Sequence, residues 1–460
     1  MGNSAAGCTL ASMKAACPVA CKRSDACKRS DACKRSDACK RSDARTRSGL
    51  RLALILAIIT ASGTQASAQK STQVERTPAK ELAPAPDAAA IKEAIARGAA
   101  HLLANQERGE KQDPATAPCE WPYEGVYRVG GKIPIGYRIG STSICLMALV
   151  QTPESDRGEP KAWREKMEAS MDFICAQIAH PLMSFEDYDA GYDTRGWGYT
   201  YGLLALCELS QANLVPERLR EKVAKAMQFY LDGIEQTQIP EVGGWNYARP
   251  PGKDKPAAPS TFMTPPTVQA LWAAKARGMK VQQSTIDKAL AFMQSSIAPA
   301  DAVGGKDAGS VTYSGPHRAG RREQLPGATG RMCTTEATLA MAGMSSPARL
   351  RRAVESFINH WDELEKRRQM SGTHVGPYGV APYYFMFAHH AAAQACELLP
   401  AADKAELRAK CDALLFRVRA ENGSWNDRVF ARSSAYGTAM AMMSLMGPKT
   451  YEGKSEQKAE

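Results

Sequence analysis

Residues 243–278, GGWNYARPPGKDKPAAPSTFMTPPTVQALWAAKARG, decide the fold of this chain. A Gly-Gly-Trp turn and a Pro-rich loop lead into a segment that is apolar on almost every side. Such a segment predicts a helix that is buried all round. Thr264 suits the N-cap of this helix, Pro265 its first position and Gly278 its C-terminal end.

The same pattern occurs twice more in the sequence. Gly196-Trp197-Gly198-Tyr199 leads into an apolar run that ends at Leu209, and Gly423-Ser424-Trp425-Asn426 leads into an apolar run over 433–445. A glycine–tryptophan turn followed by a buried helix, found three times, indicates an internal repeat.

Helices with one charged face alternate with the apolar helices. The amphipathic set is predicted over 88–106, 161–177, 217–236, 284–294, 347–368 and 402–417. The apolar set is predicted over 141–150, 199–211, 265–276, 334–342, 382–398 and 433–446.

Two concentric rings satisfy both kinds of helix, because the apolar set needs neighbours on all sides and the amphipathic set needs water on one side. Sustained period-two alternation is nearly absent. We therefore predict one all-α domain over 88–448, an (α/α)6 toroid barrel of six outer–inner helix pairs, with an open solenoid as the alternative. The links from amphipathic to apolar helices are long and would share one rim, where binding and catalysis are expected.

The residues before the barrel indicate export. Residues 1–44 contain four CKRSDA repeats and predict a disordered leader, and 45–68 have the basic, apolar and Ala-x-Ala regions of a signal peptide. Residues 69–87 predict a flexible linker, and 449–460 a disordered tail. We expect a periplasmic or secreted protein, with a membrane-bound form only if the signal segment is kept as an anchor.

The charge of the chain does not suggest nucleic-acid binding. Residues 1–68 hold 12 Lys+Arg and 4 Asp+Glu, which leaves 59 − 12 = 47 against 48 − 4 = 44, or +3, for the rest. The body has seven cysteines without CxxC spacing, which predicts buried free thiols. We identify no metal site and no cofactor from these patterns.

The glycine–tryptophan turns, the six pairs and the ending GSWNDRVFARSSAYGTAMAMMSL (423–445) resemble the prenyltransferase and squalene–hopene cyclase superfamily. The resemblance implies an α/α toroid in which Trp197, Trp245 and Trp425 fasten the repeats. Cyclases of this class protonate an alkene with Asp-x-Asp-Asp, and the nearest stretch, 187–190, lacks the final aspartate. The zinc ligands of the protein prenyltransferases have no counterpart at matching spacing.

The second long link carries the first group of candidate residues. Asp187, Asp189 and Asp193 are candidate catalytic acids because crowded carboxylates raise one another's pKa, whereas the alternative is a solvated acidic loop. Arg195 and Tyr199 follow as candidate ligand-binding residues.

Histidine and tyrosine lie together in two later links. His317 follows Tyr313 and precedes Arg318, and His374 precedes Tyr378. A histidine–tyrosine pair can act as base and acid, as in a polysaccharide lyase. We take His317, His374 and Tyr378 as candidate catalytic residues and Tyr313 and Arg318 as candidate ligand-binding residues, against the alternative of surface positions.

Further ligand-binding candidates are polar groups in or beside the apolar helices. His389 and His390 are adjacent in one of these helices, so one should face the cavity and the other a neighbouring helix. A satisfied core histidine is the alternative for His389, and a structural role is the alternative for Glu336, Asp427 and Arg428. The remaining candidates are Tyr247, Glu336, Asp427 and Arg428.

The sequence leaves three functions open, and whether the protein is catalytic is not decided. The first is a prenyltransferase- or cyclase-like protein with a ligand pocket at the long-loop rim, the second a polysaccharide-acting lyase or hydrolase, and the third a non-catalytic binding or scaffold protein. The partner is an unidentified small molecule, isoprenoid or glycan. An apolar well would favour isoprenoids, a groove with aromatics, carboxylates and arginines would favour glycans, and a filled centre would favour a scaffold.

Overall fold

The computed structural model describes residues 82–108, 119–186, 194–246, 258–300, 307–318, 324–372, 374, 376, 378 and 385–453. Within these residues the chain forms thirteen α-helices and one pair of two-residue strands. The helices are α1 Ala88–Ala104, α2 Ile135–Gln151, α3 Pro160–Ala176, α4 Arg195–Gln211, α5 Arg220–Thr237, α6 Thr264–Ala276, α7 Gln283–Ser295, α8 Leu325–Met341, α9 Pro347–Asn359, α10 Trp361–Arg368, α11 Phe385–Glu397, α12 Ala401–Phe416 and α13 Ser434–Met446. The antiparallel strands are β1 Glu107–Arg108 and β2 Cys119–Glu120.

Six of the helices form a closed inner ring. In ring order, α2 contacts α4, α4 contacts α6, α6 contacts α8, α8 contacts α11, α11 contacts α13, and α13 contacts α2. The other helices pack outside this ring, with α9 and α10 together filling the fifth outer position. The predicted (α/α)6 toroid is confirmed.

Burial separates the two rings as the residue pattern requires. In α4 every residue from Trp197 to Leu209 is buried, so this helix has neighbours on all sides. In the outer helix α5 the buried residues recur every three or four positions, from Val223 to Ile234. Glu221 before them and Lys225 between them are exposed.

Two of the inner helices begin at least six residues closer to the long links than predicted. Helix α2 begins at Ile135 rather than at 141, and α8 begins at Leu325 rather than at 334. Both added turns contain glycine, which weakens a helical pattern in the sequence. Glycine is required here by packing: Gly136 lies against the Thr194 carbonyl and Gly327 against the Tyr378 carbonyl, and neither position has room for a Cβ.

Three tryptophans fasten the repeats in one recurring arrangement. Each indole Nε1 donates to a carbonyl near the end of the preceding outer helix, and each backbone N–H donates to a threonine Oγ1 of the following inner helix. The sets are Trp121 with Leu102 and Thr142, Trp245 with Ile234 and Thr264, and Trp425 with Leu415 and Thr438. Trp197 differs, because it lies inside α4 and its Nε1 has no hydrogen-bond partner among the described residues.

Only a few residues near either end of the chain are described, and these contact the barrel. Residues 1–81, with the leader and the predicted signal segment, lie outside the described residues, as do 454–460. Leu82, in the predicted linker, packs against the core, and residues 449–453 of the predicted tail contact the barrel. Among the helices that the structure describes, none is long and apolar enough to cross a membrane.

Candidate functional site

The six long links begin and end at the same end of the barrel, which we call the long-loop end. They cover 105–134, 177–194, 238–263, 296–324, 369–384 and 417–433. Neighbouring links touch: Ser260 of the third pairs with Ser314 of the fourth, and Tyr313 of the fourth contacts His374 of the fifth. Side chains from distant parts of the chain are therefore brought together there.

An aromatic row runs from the surface of the long-loop end towards the barrel axis. His374, which is exposed, meets the half-buried Tyr313 edge to face, with ring centroids 5.1 Å apart and planes at 80°. The ring centroid of Phe262 lies 6.2 Å from that of Tyr313 and 5.5 Å from that of Phe387. Phe387 lines the cavity on the axis. We call these four residues the aromatic row.

Arg331 places a positive charge beneath the aromatic row. Its guanidinium carbon lies 5.6 Å from the ring centroids of both Phe262 and Tyr313, and the residue is only 4% exposed. Its Nε donates to the Val311 carbonyl at 3.1 Å and its Nη1 to the Gly327 carbonyl at 2.7 Å. These bonds fix the guanidinium, so the charge remains close to the tyrosine ring.

Backbone and hydroxyl bonds hold the segment that carries Tyr313. Thr261 Oγ1 donates to the Thr312 carbonyl at 2.6 Å, and the N–H of His317 donates to the Ser295 carbonyl at 2.7 Å. His317 is half-buried and Arg318 is exposed. His317 is held through its backbone, whereas the ring of His374 contacts the ring of Tyr313.

A buried acid lies on the other side of the long-loop end. Asp427 is fully buried, accepts 2.9 Å and 2.7 Å hydrogen bonds from the Tyr123 hydroxyl and the Met386 N–H, and borders Arg428. Burial raises the pKa of its carboxyl to about 7, although the hydrogen bonds and Arg428 oppose the shift. Such a carboxyl exchanges its proton near neutral pH.

Aromatic side chains surround this acid. Tyr123 packs against Tyr137 and Tyr436, and Trp197 packs against Tyr137 and Tyr201. The Tyr436 hydroxyl and the Trp197 Nε1 are buried without hydrogen-bond partners among the described residues. Arg428, 1% exposed, donates from Nη2 to the Ser371 carbonyl at 3.0 Å and lies over the Phe430 ring.

The barrel axis contains a small cavity of about 40 Å³. Every inner helix contributes to its wall, which contains both polar and apolar side chains. The lining residues are Met147, Gln151, Tyr201, Leu204, Glu208, Pro266, Gln269, Thr334, Phe387, His390, Ala391, Gln394, Met440, Met443, Lys449 and Tyr451. Among the residues that the structure describes, this part of the barrel axis is therefore nearly filled.

The two adjacent histidines of α11 point in different directions. His389 is buried, and its Nε2 accepts a 2.8 Å hydrogen bond from Trp361 Nε1, which requires this nitrogen to be unprotonated. His390 lines the axial cavity. Burial lowers the pKa of His389 to about 3 and that of His390 to about 4, so both are neutral at pH 7.

Three predicted ligand-binding residues make structural contacts. Arg195 donates to the Ser184 and Glu186 carbonyls, and the Tyr199 hydroxyl donates to the Met183 carbonyl, so both hold the second link. Glu336 is buried and paired with Arg349, which joins α8 to α9. Four other predicted residues, Asp187, Asp189, Asp193 and Tyr247, lie outside the described residues.

Sequence reasoning missed three residues of this end: Tyr123, Phe262 and Arg331. Tyr123 had a usable signal, because Trp121-Pro122-Tyr123 has the same spacing as Trp245-Asn246-Tyr247. Phe262 and Arg331 have no such signal in the sequence. Tyr378 is half-buried, and its carbonyl lies against Gly327. The described residues contain no group of His, Cys, Asp and Glu arranged to hold a metal ion.

No family model and no curated protein matches the sequence. Solved structures of similar shape include the α-1,6-mannanase GH76A of Salegentibacter sp. HEL1_6, with a TM-score of 0.47, 10% identity, and coverage of 77% of this chain and 98% of that one. An unsaturated glucuronyl hydrolase from Streptococcus agalactiae has a TM-score of 0.49, 11% identity, and coverage of 79% and 93%. The glucoamylase of Hormoconis resinae has a TM-score of 0.46, 13% identity, and coverage of 79% and 73%. At these identities the likeness concerns the fold alone.

Proposed function

We propose that the protein binds a polysaccharide at its long-loop end and cleaves it, with His374 and Tyr313 as the acid–base pair. The observation that carries this proposal is the edge-to-face contact of the two rings, 5.1 Å apart, at the boundary between solvent and core. Histidine takes up and releases protons near neutral pH, and a tyrosine hydroxyl can donate one to a leaving group. Both sit on links between rigid helices, where catalytic groups are commonly placed.

The chemistry that suits this pair is β-elimination on a uronate sugar. His374 removes the proton from C5, the bond between C4 and the glycosidic oxygen breaks, and a C4–C5 double bond forms. Tyr313 donates its proton to the departing oxygen and becomes a phenolate. After the products leave, the proton on His374 passes to this phenolate, directly or through water, and both groups return to their starting states. The guanidinium of Arg331, 5.6 Å from the Tyr313 ring, stabilises the phenolate that forms in this step.

The outer end of the aromatic row, His374 and Tyr313, supplies the binding surface in this proposal, and the buried Phe262 and Phe387 support it from the core. Aromatic faces offer large apolar area at low cost in conformational entropy, and the exposed end of the row meets solvent at His374. The predicted export signal at 45–68 suits a substrate met outside the cytoplasm.

An isoprenoid substrate has weaker support. A prenyltransferase- or cyclase-like reaction needs an apolar chamber, and ligand pockets usually occupy at least about 300 Å³. The axial cavity measures about 40 Å³ and is lined in part by Gln151, Glu208, Gln269 and Gln394. Among the three functions that the sequence leaves open, the small size of this cavity also favours the non-catalytic scaffold.

Glycoside hydrolysis is a second candidate, favoured by Asp427. A carboxyl with a pKa of about 7 is protonated in a large fraction of molecules at neutral pH, as a general acid requires. Because Asp427 is fully buried, this function also needs a substrate path past the surrounding tyrosines.

The decisive experiment is cleavage of a panel of uronate-containing and neutral polysaccharides by the full chain. Reducing ends report any cleavage, and ultraviolet absorbance of an unsaturated uronate reports elimination alone. His374→Ala and Tyr313→Phe should each lower the elimination rate on the order of 10²–10⁴-fold. His180→Ala, on the second long link, is the matched control and should keep the wild-type rate.

Two results would overturn the proposal. One is a wild-type chain that cleaves no member of the panel. The other is elimination that persists at the wild-type rate in both His374→Ala and Tyr313→Phe. New reducing ends that appear without ultraviolet absorbance would show hydrolysis instead of elimination. If Asp427→Asn abolishes this cleavage, Asp427 is the general acid of that hydrolysis.

A further inference from the structure

The barrel end opposite the long links is crossed by a segment that follows the last helix. Gly447 has φ = 87°, a conformation that L side chains rarely adopt, and it turns the chain away from α13. Residues 448–453, which we call the axial strap, then lie across the inner ring. Lys449 and Tyr451 of this strap line the axial cavity.

Two side chains of the strap bind one buried carboxylate. Lys449 Nζ lies 2.8 Å from Glu208 Oε2, and the Tyr451 hydroxyl donates to Glu208 Oε1 at 2.7 Å. Glu208 belongs to the inner helix α4 and is 2% exposed. Among the described residues, its ion pair is with Lys449, and Gln151 adds a longer contact of 3.3 Å.

The strap backbone is also bound by the inner ring. Gln394 Nε2 donates to the Lys449 carbonyl at 2.8 Å, and the Tyr451 N–H faces Met341 Sδ at 3.5 Å. Gly453 lies so close to the Trp272 ring that the position has no room for a Cβ. Helices α4, α6, α8 and α11 therefore all touch this short segment.

A belt of polar side chains explains why the strap binds here. Four inner helices place a glutamine or glutamate towards the axis at this level, namely Gln151, Glu208, Gln269 and Gln394. Gln269 and Gln394 bond to each other, and Gln269 also donates to Thr338 Oγ1 at 2.8 Å. Buried polar groups destabilise a core unless they are hydrogen-bonded, and apolar side chains could have filled the same space. The polar belt therefore indicates a partner with polar groups at this end of the barrel. The belt groups that do not bond to one another can accept hydrogen bonds from an ammonium group and a hydroxyl and can donate one to a backbone carbonyl, which a peptide supplies.

We propose that this end of the barrel is a peptide-binding site, and that the axial strap occupies it as a displaceable ligand. The ligand class is a short peptide with the order Lys-x-Tyr. The strap has no helix or strand of its own, its Thr450 and Glu452 are exposed, and the helices of the inner ring contact one another directly, so the strap opens without unfolding the inner ring. A second peptide with a lysine and a tyrosine at the same spacing then binds in its place. Its apparent affinity is reduced because the strap fills the site in most molecules.

The first test uses native-state hydrogen exchange on the full wild-type chain. The amides of Lys449 and Tyr451 should exchange through an opening that leaves α4 protected. If they exchange only when α4 exchanges, the strap is a fixed part of the core and the proposal is wrong. This measurement needs no variant and therefore does not depend on how any variant folds.

The second test uses the fluorescently labelled peptide acetyl-GPKTYEG-amide, with the sequence of 447–453, and measures its anisotropy. The full-chain variant Lys449→Met/Tyr451→Phe, with a weakened strap, should bind the peptide at least about tenfold more tightly than the wild type does. Adding Glu208→Gln to that variant should weaken peptide binding by about tenfold, because the charged acceptor is gone.

The conservative variant Lys449→Arg keeps the ion pair and should behave like the wild type in both tests. A variant whose strap is released but which binds no peptide would show that the strap only closes the barrel, and would overturn the proposal. Equal peptide binding with and without Glu208 would do the same. None of these readouts involves polysaccharide cleavage, so failure of the proposed enzymatic function would leave them unaffected.

Discussion

Tyr123 and Asp427 stand on the first and the last of the long links, and the Tyr123 hydroxyl donates a 2.9 Å hydrogen bond to Asp427 Oδ2. The other carboxylate oxygen accepts the N–H of Met386, at the start of α11. One buried carboxyl therefore joins the first link, the last link and helix α11. We therefore expect the proton affinity of Asp427 to affect the stability of the barrel.

Asp427 should make the protein less stable as the pH rises towards 7. Its pKa is about 7 in the folded state against 3.8 for an ordinary aspartate, so the folded state binds the proton more tightly. Its contribution is fully present below pH 3.8 and is lost as the pH rises through 7. The difference is on the order of 4 kcal/mol at most. Urea unfolding of wild type and Asp427→Asn between pH 4 and 8 measures it.

The difference between the two proteins isolates this one group, because other groups titrate in both. The free energy of unfolding of the wild type, relative to Asp427→Asn, should fall between pH 4 and 7 and then level off. Parallel curves over this interval would show that the Asp427 carboxyl keeps an ordinary pKa.

Trp245→Ala should destabilise the barrel by about 3–5 kcal/mol. The side chain is 3% exposed, and its Nε1 donates to the Ile234 carbonyl at 2.7 Å. Trp245→Phe keeps most of the ring packing and should cost less than the alanine variant. Chemical unfolding of the three proteins gives the values, and an unchanged midpoint for Trp245→Ala would remove the fastening role.

His317→Ala and His374→Ala should leave the thermal midpoint nearly unchanged. Both residues lie on links, His374 is exposed and His317 is half-buried, and the hydrogen bond of His317 comes from its backbone. Differential scanning calorimetry checks this. A fall as large as that of Trp245→Ala would show that either ring is part of the core.

His389 should make the protein less stable in mild acid. Its pKa is about 3 in the folded state against 6.5 in an exposed histidine, so its contribution is present above pH 6.5 and is lost as the pH falls towards 3. His389→Phe removes this dependence but leaves Trp361 Nε1 without its acceptor, at a cost of about 1–3 kcal/mol at pH 7.

Urea unfolding at pH 7 and pH 5 separates these two effects. The wild type should lose more stability between the two pH values than His389→Phe does. An equal loss in both proteins would mean that His389 is protonated in the folded state. Trp361→Phe in the His389→Phe background removes the orphaned donor and should recover part of the stability at pH 7.

The local pattern of the sequence was enough to predict the helices and their two environments. Residues 265–276 are apolar on all sides, and the structure buries nearly all of them in α6. The fastening role of Trp245 and Trp425 was also visible, because each follows a glycine-containing turn before such a helix. The same pattern misplaced Trp197, which has glycine on both sides but lies inside α4.

The sequence by itself thus determined the ring of apolar helices inside amphipathic ones, since burial depends on the periodicity of neighbouring residues along one helix. Only the tertiary structure decided which long links touch, because those contacts join residues far apart in the chain. It paired Tyr313 with His374 rather than with the nearby His317, and it placed Arg331 beneath that pair. It also brought Lys449 to Glu208, a contact across the barrel that no local pattern predicts.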